Sequence, residues 1–281
     1  MSKYVKSPLN YTGGKYKLLP QILPLFPHDV DTFYDLFCGG CNVGVNIKAN
    51  KIVCNDTEKH LINLMQQLKL IDSRQAIEVL EATISKYQLS KTNEEGFKKI
   101  RKDYNEGVKS WDMFYAMVTN AFNYQIRFNN KGEYNMPFGR NRSYFNPTLK
   151  KRFVKFVDKL KELNIEFISK DFRKIGTDSL STEDFVYCDP PYLISCASYN
   201  EQNGWEEKDE YDLLDFLDTL NSKNIKFALS NVLEHKGSVN HILKEWSRKY
   251  KVHYLNQSYS NCNYQKKNKS SSSVEVLISN Y

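Results

Sequence analysis

The four residues Asp189-Pro190-Pro191-Tyr192 carry the densest chemistry in the chain. They follow directly on the apolar run Phe185-Val186-Tyr187-Cys188, which reads as a strand, so they sit at its C-terminal end. Ligands of open α/β sheets bind at such ends. Each proline pushes the residue before it out of the α region, and together they remove two N–H donors. The turn is therefore stiff and extended, and it holds a carboxylate, a carbonyl and an aromatic ring close together. Such a set grips a planar amine: Asp189 and the Pro190 carbonyl accept its hydrogens, and Tyr192 stacks on its ring. A proline-rich surface turn is the plainer alternative.

Three further stretches are built for ligands. In Phe37-Cys38-Gly39-Gly40, glycines between a strand and a helix let a ligand approach the backbone. Asp56 lies seventeen residues after Gly39 at the next strand end, near the ~20-residue offset at which an acid accepts from ribose hydroxyls. FCGGCNVG is not GxGxxG, so a structural turn fits equally well. Thr12-Gly13-Gly14-Lys15 is not a P-loop, yet Gly13, Gly14 and Lys15 can line an anion- or carboxylate-binding corner; a plain helix N-terminus fits equally well. From Phe122 to Tyr144, Asn123, Gln125, Arg127, Arg140 and Arg142 interleave with Phe122, Tyr124, Tyr134 and Tyr144. Arg reads guanine and Asn or Gln reads adenine, while aromatic rings wedge into or stack on bases. An ordinary polar loop is the alternative there. Lys266, Lys267 and Lys269 suit phosphate contacts or a solvated tip.

The elements that must position these residues follow from pattern. Phe33–Phe37 and Ile52–Cys54 read as strands around a helix at Val43–Ala49, a βαβ unit. Residues 57–118 are helix-patterned, with Leu61, Ile62, Leu64, Met65 and Leu68 at helical spacing, and Phe153–Leu163 forms another helix. Strands return at 165–168, 185–188, 225–229, 252–255 and 274–278, with helices at 211–220 and 238–247. Strands alternating with helices predict an α/β fold with a mostly parallel sheet. The last two strands enclose SYSNCNYQKKNKSSSS, a polar hairpin tip. These boundaries predict a sheet domain of 1–56 and 165–281, with a helical insertion at 57–164.

Composition narrows the classes. With 281 residues, 41% hydrophobic and 26% charged, the chain folds rather than staying disordered. The 40 Lys+Arg against 33 Asp+Glu, net +7, suit a polyanionic partner. No apolar run approaches the ~18 residues of a membrane helix, and MSKYVKSPLNYTGGK lacks a signal-peptide core, which predicts a cytoplasmic chain. Cys38 and Cys41 have CxxC spacing without a second pair. Buried thiols are expected for the six cysteines, Cys38, Cys41, Cys54, Cys188, Cys196 and Cys262, and no metal site, with a redox pair at Cys38 and Cys41 as the alternative.

Taken together and in order, these motifs resemble the DNA adenine-N6 methyltransferases of the DNA adenine methylase family, the alpha group or class D12. YTGGK is similar to its opening motif, DLFCGG to its cofactor-binding glycine segment, Asn55-Asp56 to the acidic end of its next strand, and DPPY to its catalytic motif. RFNNKGEYNMPFGR is similar to a segment within its target-recognition insert, here about 120–147. The resemblance implies a Rossmann-like S-adenosylmethionine-dependent methyltransferase sheet with a helical target-recognition insertion. It assigns Tyr11, Lys15, Phe37, Gly39, Asp56 and Asp189 to S-adenosyl-L-methionine, with Gly13 and Gly40 in the same motifs. Asp189, Pro190 and Tyr192, with Pro191 inside the motif, would hold the target adenine. Phe122, Asn123, Gln125, Arg127 and Arg140 would contact or intercalate into double-stranded DNA, with Arg142 beside them.

That implies methyl transfer to N6 of an adenine flipped out of a short duplex site, with Phe122 filling the gap. A restriction-modification system with a cognate endonuclease is expected, as is a monomer or weak dimer. Cys41 replaces a family glycine. Asn10 and Tyr124-Gln125 differ from members that methylate GATC, so the resemblance leaves the target open between GATC and another adenine-containing site. The rival readings are an N-methyltransferase acting on RNA adenine or a protein amide, and a non-catalytic DNA-binding protein of the same fold.

Overall fold

A strand covered on both faces reads as an unbroken apolar run, and Phe185-Val186-Tyr187-Cys188 is buried at all four positions. The computed structural model describes residues 3–194, 204–256 and 273–281. Cys196, Cys262, Lys266, Lys267 and Lys269 lie outside the described residues. In chain order the elements are α1 (Leu19–Ile22), β1 (Thr32–Asp35), β2 (Lys51–Asn55), α2 (Lys59–Leu70), α3 (Ser73–Lys86), α4 (Glu94–Glu106), α5 (Trp111–Asn120) and α6 (Pro147–Glu162). Then follow β3 (Ile165–Ile168), β4 (Phe185–Cys188), α7 (Glu207–Ser222), β5 (Lys226–His235), β6 (Ser238–Val239), α8 (His241–Trp246), β7 (Lys251–Leu255) and β8 (Ser273–Ser279). The chain divides into two units, one of residues 1–16, 39–46 and 56–169, the other of 17–38, 47–55 and 170–281.

The second unit is built on a sheet in the order β2-β1-β4-β5-β8-β7, with β6 paired to β5. The first four strands run parallel, and β8 pairs antiparallel with both β5 and β7. One face carries Val186, Cys188, Phe227, Leu229, Val276 and Ile278. It packs against Leu213, Leu214, Leu217 and Leu220 of α7 and Leu243 and Trp246 of α8. Apolar residues at helical spacing on α7 make this packing possible. The opposite face is aromatic: the Phe26 ring lies 4.8 Å from Phe185 and 5.3 Å from Tyr187, and Phe33 lies 5.6 Å from Phe185. The result is a mostly parallel, Rossmann-like α/β sheet, as the strand–helix alternation predicts.

The first unit is helical. Its helices begin on side-chain caps that satisfy otherwise orphaned N–H groups: Glu58 for α2, Asp72 for α3, Asn93 for α4 and Asn146 for α6. Phe97, Tyr104, Phe114, Tyr115, Tyr134, Phe153 and Phe156 are buried within it. Among the described residues, no helix is long and apolar enough to cross a membrane.

Two local expectations fail. The helix expected at 43–49 is a run of turns over 39–46. Cys41 takes a left-handed φ of 59°, and the amides that would face solvent on a helix bond elsewhere. Asn42 Oδ1 accepts from Ser7 N–H at 3.0 Å, and Asn46 Oδ1 from Val5 N–H at 2.8 Å. The helix expected at 238–247 is shortened to α8 by the β6 pairing of Ser238 and Val239 with His235 and Glu234.

Asn55, at the end of β2, joins three pieces of the sheet unit. It is buried, and its Nδ2 donates to the carbonyls of Leu36 at 3.0 Å and Lys170 at 2.9 Å. Its Oδ1 accepts from Lys170 N–H at 2.9 Å. Replacing Asn55 with Leu strands one donor and two acceptors, so it should cost about 3 kcal/mol in denaturant unfolding. A loss below about 1 kcal/mol would show that water takes over these bonds.

Candidate functional site

In the sheet unit, the chain leaves β4 directly into Asp189. Pro190 is buried, while Asp189, Pro191 and Tyr192 are half-buried. The Tyr192 hydroxyl donates to Asp189 Oδ1 at 3.2 Å. Burial, then the Asp189 charge, holds the Tyr192 phenol well above its usual range. It therefore stays a donor throughout the neutral range, and the corner presents a carboxylate beside a fixed hydroxyl. Two residues earlier, the Tyr187 hydroxyl pairs with Ser230 Oγ at 2.8 Å, and burial pushes the Cys188 thiol up, with Asp35 and Asp189 adding to it. That thiol stays protonated and unreactive. Cys38, Cys41 and Cys54 are buried as well, and no group of three or more metal-ligating side chains occurs among the described residues.

Phe37 follows β1 and packs against Phe172 at 5.6 Å and Trp205 edge-on at 5.8 Å. Its ring is half-buried, an apolar wall beside the strand ends.

The helical unit brings together Tyr11, Gly13, Lys15, Gly39, Gly40 and Asp56. Gly14 N–H closes a turn onto the Tyr11 carbonyl at 3.2 Å. Lys15 is buried, and its ammonium donates to the Gly13 carbonyl at 3.0 Å. Gly39 has φ +46°, and a Cβ there would lie 2.7 Å from Tyr11 Cδ1. Only glycine fits against that ring. The Gly39 N–H donates to Asp56 Oδ2 at 2.9 Å, and Glu58 N–H donates to Oδ1 at 2.9 Å. Burial raises the Asp56 carboxyl above its ordinary value, against the pull of the Glu58, Gly39 and Thr57 N–H groups. Glu58 is raised too, by burial first and by the Asp56 charge as well. A ring, a glycine cradle and an acid at a strand end can together hold an adenosyl group by stacking and by accepting from ribose hydroxyls.

Elsewhere in this unit, residues 121–138 fold back through bridges at Ala121–Phe138 and Phe128–Tyr134. Asn123 and Tyr124 both take left-handed φ, 55° and 58°, a costly pair for non-glycine residues. The kink leaves Phe122 39% exposed, with the Arg142 guanidinium 5.1 Å from its ring centre. Asn123 Oδ1 accepts from Arg142 at 3.4 Å, and Asn10 Nδ2 donates to the Asn123 carbonyl at 2.9 Å. Gln125 gives its carbonyl to the Tyr134 hydroxyl at 2.9 Å. Arg127 bonds Asn135 through Nε at 2.8 Å and Nη2 at 3.0 Å, and Arg140 pairs with Glu94 of α4. Thus Phe122, Asn123 and Arg142 form one cluster, whereas Arg127 and Arg140 are engaged with other partners.

Sequence reasoning passed over Glu275. It is only 3% exposed, and its Oε1 lies 3.4 Å from the Tyr192 hydroxyl. The available signal was one acid inside the otherwise apolar run Val274–Ile278. It also passed over Glu94, whose pairing with Arg140 joins residues distant in sequence.

Residues 11–261 match the family described as D12 class N6 adenine-specific DNA methyltransferase. Across its whole length the chain is 50% identical to the Type II methyltransferase M.FokI of Planomicrobium okeanokoites, covering 43% of that protein. It is 45% identical to the modification methylase StsI of Streptococcus sanguinis, over 99% of this chain and 43% of the relative. It is 29% identical to the Type II methyltransferase M1.LlaDCHI of Lactococcus lactis subsp. cremoris, over 96% of this chain and 94% of that one. The chain therefore spans less than half the length of the first two relatives and nearly all of the third.

The raised Asp56 carboxyl sets a pH trend. Its folded state holds the proton above the ordinary 3.8, so its contribution to stability is complete below that pH and is lost as pH rises through the raised value. Asp56→Asn does not titrate. Its stability relative to wild type should rise between about pH 4 and pH 7 in thermal or denaturant unfolding. A flat difference, or one moving in favour of wild type, would show that the three N–H donors outweigh burial.

Proposed function

Because the chain belongs to the D12 class of N6 adenine-specific DNA methyltransferases, we propose that it transfers a methyl group from S-adenosyl-L-methionine to N6 of an adenine flipped out of a short duplex DNA site. The observation that carries this reading is the corner at the end of β4, where Asp189 and the Tyr192 hydroxyl lie 3.2 Å apart beside buried Pro190. Tyr11, Gly13, Lys15, Gly39, Gly40 and Asp56 would hold the cofactor; the Gly39 cradle, which bars any Cβ, and the Asp56 carboxyl beside it support that role, in which Asp56 would accept from ribose hydroxyls. Phe37 and Asp189 are assigned to the same ligand by the family resemblance. When bound, the cofactor supplies a methyl group on a sulfonium, a strong electrophile.

The chain's own task is to prepare a weak nucleophile. The adenine amino lone pair is delocalised into the ring. Asp189 and the Pro190 carbonyl accept its two hydrogens and draw the nitrogen toward tetrahedral geometry, so that the lone pair turns to the methyl carbon. Tyr192 stacks on the base, and Pro191 keeps the turn rigid. Holding the amine in this geometry and stabilising the positive charge that grows on nitrogen supply several kcal/mol. Asp189 does not deprotonate the amine before attack, because an aniline-like amine is far too weak an acid. Passing the methyl to nitrogen would leave the cofactor a neutral thioether, and the extra proton on the methylated nitrogen would pass to the Asp189 carboxylate and on to water.

The recognition segment deepens the reading. We assign Phe122 as the wedge that fills the stack after flipping, with Arg142 across its ring and Asn123, Gln125, Arg127 and Arg140 along the duplex. The residues 1–56 and 165–281 would carry the chemistry, and 57–164 the target recognition. The names Type II methyltransferase and modification methylase on the relatives support a place in restriction-modification, opposite an endonuclease cutting the same site.

Asp189→Ala should abolish labelled methyl transfer to adenine-containing duplexes while the unfolding transition stays near wild type. Retained transfer would overturn the assignment, and transfer to RNA or a protein amide instead of DNA would replace the substrate. Phe122→Ala should leave cofactor affinity unchanged but lower the fluorescence rise of 2-aminopurine at the target position, because nothing fills the vacated stack. An unchanged rise would remove Phe122 from that role.

A further inference from the structure

Glu275 lies on β8, buried, with Val232 of β5 and Leu255 of β7 as its cross-strand neighbours. The β5–β8 register shifts between Val232 and Glu234. An irregularity of this kind re-aims nearby side chains and recurs next to active sites. Here Glu275 Oε1 lies 3.4 Å from the Tyr192 hydroxyl, whose other carboxylate neighbour, Asp189 Oδ1, is at 3.2 Å.

One phenol has one proton to donate, and two carboxylates compete for it. We propose that Glu275 is a positioning residue for methyl transfer: by drawing on the Tyr192 hydroxyl, it keeps Asp189 a strong acceptor for the target amine. This rests on the reading of Asp189 as the amine acceptor. The ionisable groups set against one another here are Asp189, Glu275, Tyr192, Tyr187 and Asp35, since the charges of Asp189, Asp35 and Glu275 all act on Tyr187. Two effects of Glu275 on Asp189 have the same sign. Its negative charge favours the protonated form of Asp189 by repulsion, and its share of the Tyr192 hydrogen bond leaves less stabilisation for the Asp189 carboxylate. Both raise the proton affinity of Asp189, and with it the strength of the hydrogen bond that Asp189 accepts from the amine.

The sign of each substitution follows. Glu275→Gln removes the repulsion and returns the hydroxyl to Asp189, so Asp189 becomes harder to protonate. Tyr192→Phe keeps the stacking ring and deletes the donor, so Asp189 becomes easier to protonate. The test is the single-turnover rate of labelled methyl transfer to saturating adenine duplex, followed against pH, because protonated Asp189 no longer accepts the amine. The acid limb should move down by roughly one pH unit, a tenfold change in proton affinity, in Glu275→Gln. It should move up in Tyr192→Phe. In the double variant, the effect of Gln should shrink to the through-space part. Titrations of the DNA itself are common to all variants and cancel.

A limb that stays put or moves up in Glu275→Gln, or a Gln effect undiminished in the Phe background, overturns the inference. Circular dichroism and calorimetric cofactor affinity check that each variant is folded. Should Glu275→Gln fail to fold, Glu275→Asp decides: it keeps the charge but draws the carboxylate back from the Tyr192 hydroxyl, so the limb should move down, and a limb that stays put or moves up overturns the proposal. Wild-type protein without transfer to any adenine duplex would instead reject the underlying reading, a separate outcome.

Discussion

The ladder between β1 and β4 runs one hydrogen bond beyond its last paired residues, where the Leu36 N–H donates to the Tyr187 carbonyl at 3.0 Å. Because the two strands are parallel, both chains leave the sheet at the same edge. One enters Phe37 and the glycine segment, the other Asp189 and the two prolines. Asn55 secures the neighbouring exit: its own carbonyl accepts from Cys38 N–H at 2.8 Å while its side chain holds Leu36 and Lys170. An antiparallel pairing at this point would send the two segments to opposite edges. The catalytic reading depends on this register more than on any single side chain.

The parallel core also sets the electrostatics. Strands covered on both faces leave little room for water: Asp35, the last residue of β1, and Glu275, inside the antiparallel β8, are both buried. Their charges act together on Tyr187 and, through Asp189 and Glu275, on Tyr192. Such a cluster weakens a fold. Under the proposed reading, that cluster would set fixed negative charge against the positive charge developing on nitrogen.

Much of this was legible in the sequence where local rules suffice. The run Phe185–Cys188 followed by DPPY announces a buried strand and a stiff turn, and β4 has those bounds. Gly39 and Asp56 read as two ligand-facing positions of a βαβ unit; in the structure turns replace the helix between them and the Gly39 N–H meets Asp56 directly. What failed depended on distant partners. Val43–Ala49 has helical spacing, yet Asn42 and Asn46 bond to residues 5 and 7, which no local pattern reveals. β5 runs to His235, past the expected 229, because β8 and β6 supply partners along its second half. Glu275 stayed hidden for the same reason: a lone acid in an apolar strand acquires meaning only when Tyr192 arrives from another part of the chain.

The arginines of the recognition segment carry the same lesson into function. Arg140 is 64% exposed in its pairing with Glu94, and an exposed ion pair of that kind is worth little in water. Under the proposed reading, a phosphate, with a full charge and several acceptor oxygens, would replace Glu94 at small cost. Arg127 is different, because two of its donors are committed to Asn135 within its own hairpin. That bond fixes the guanidinium plane before any ligand arrives, which suits a residue that reads one base edge rather than one that samples the backbone. Under the proposed reading, sequence selection would thus lie in a few preset side chains, while the corner built by Asp189, Pro190 and Tyr192 would be indifferent to which adenine-containing site is presented.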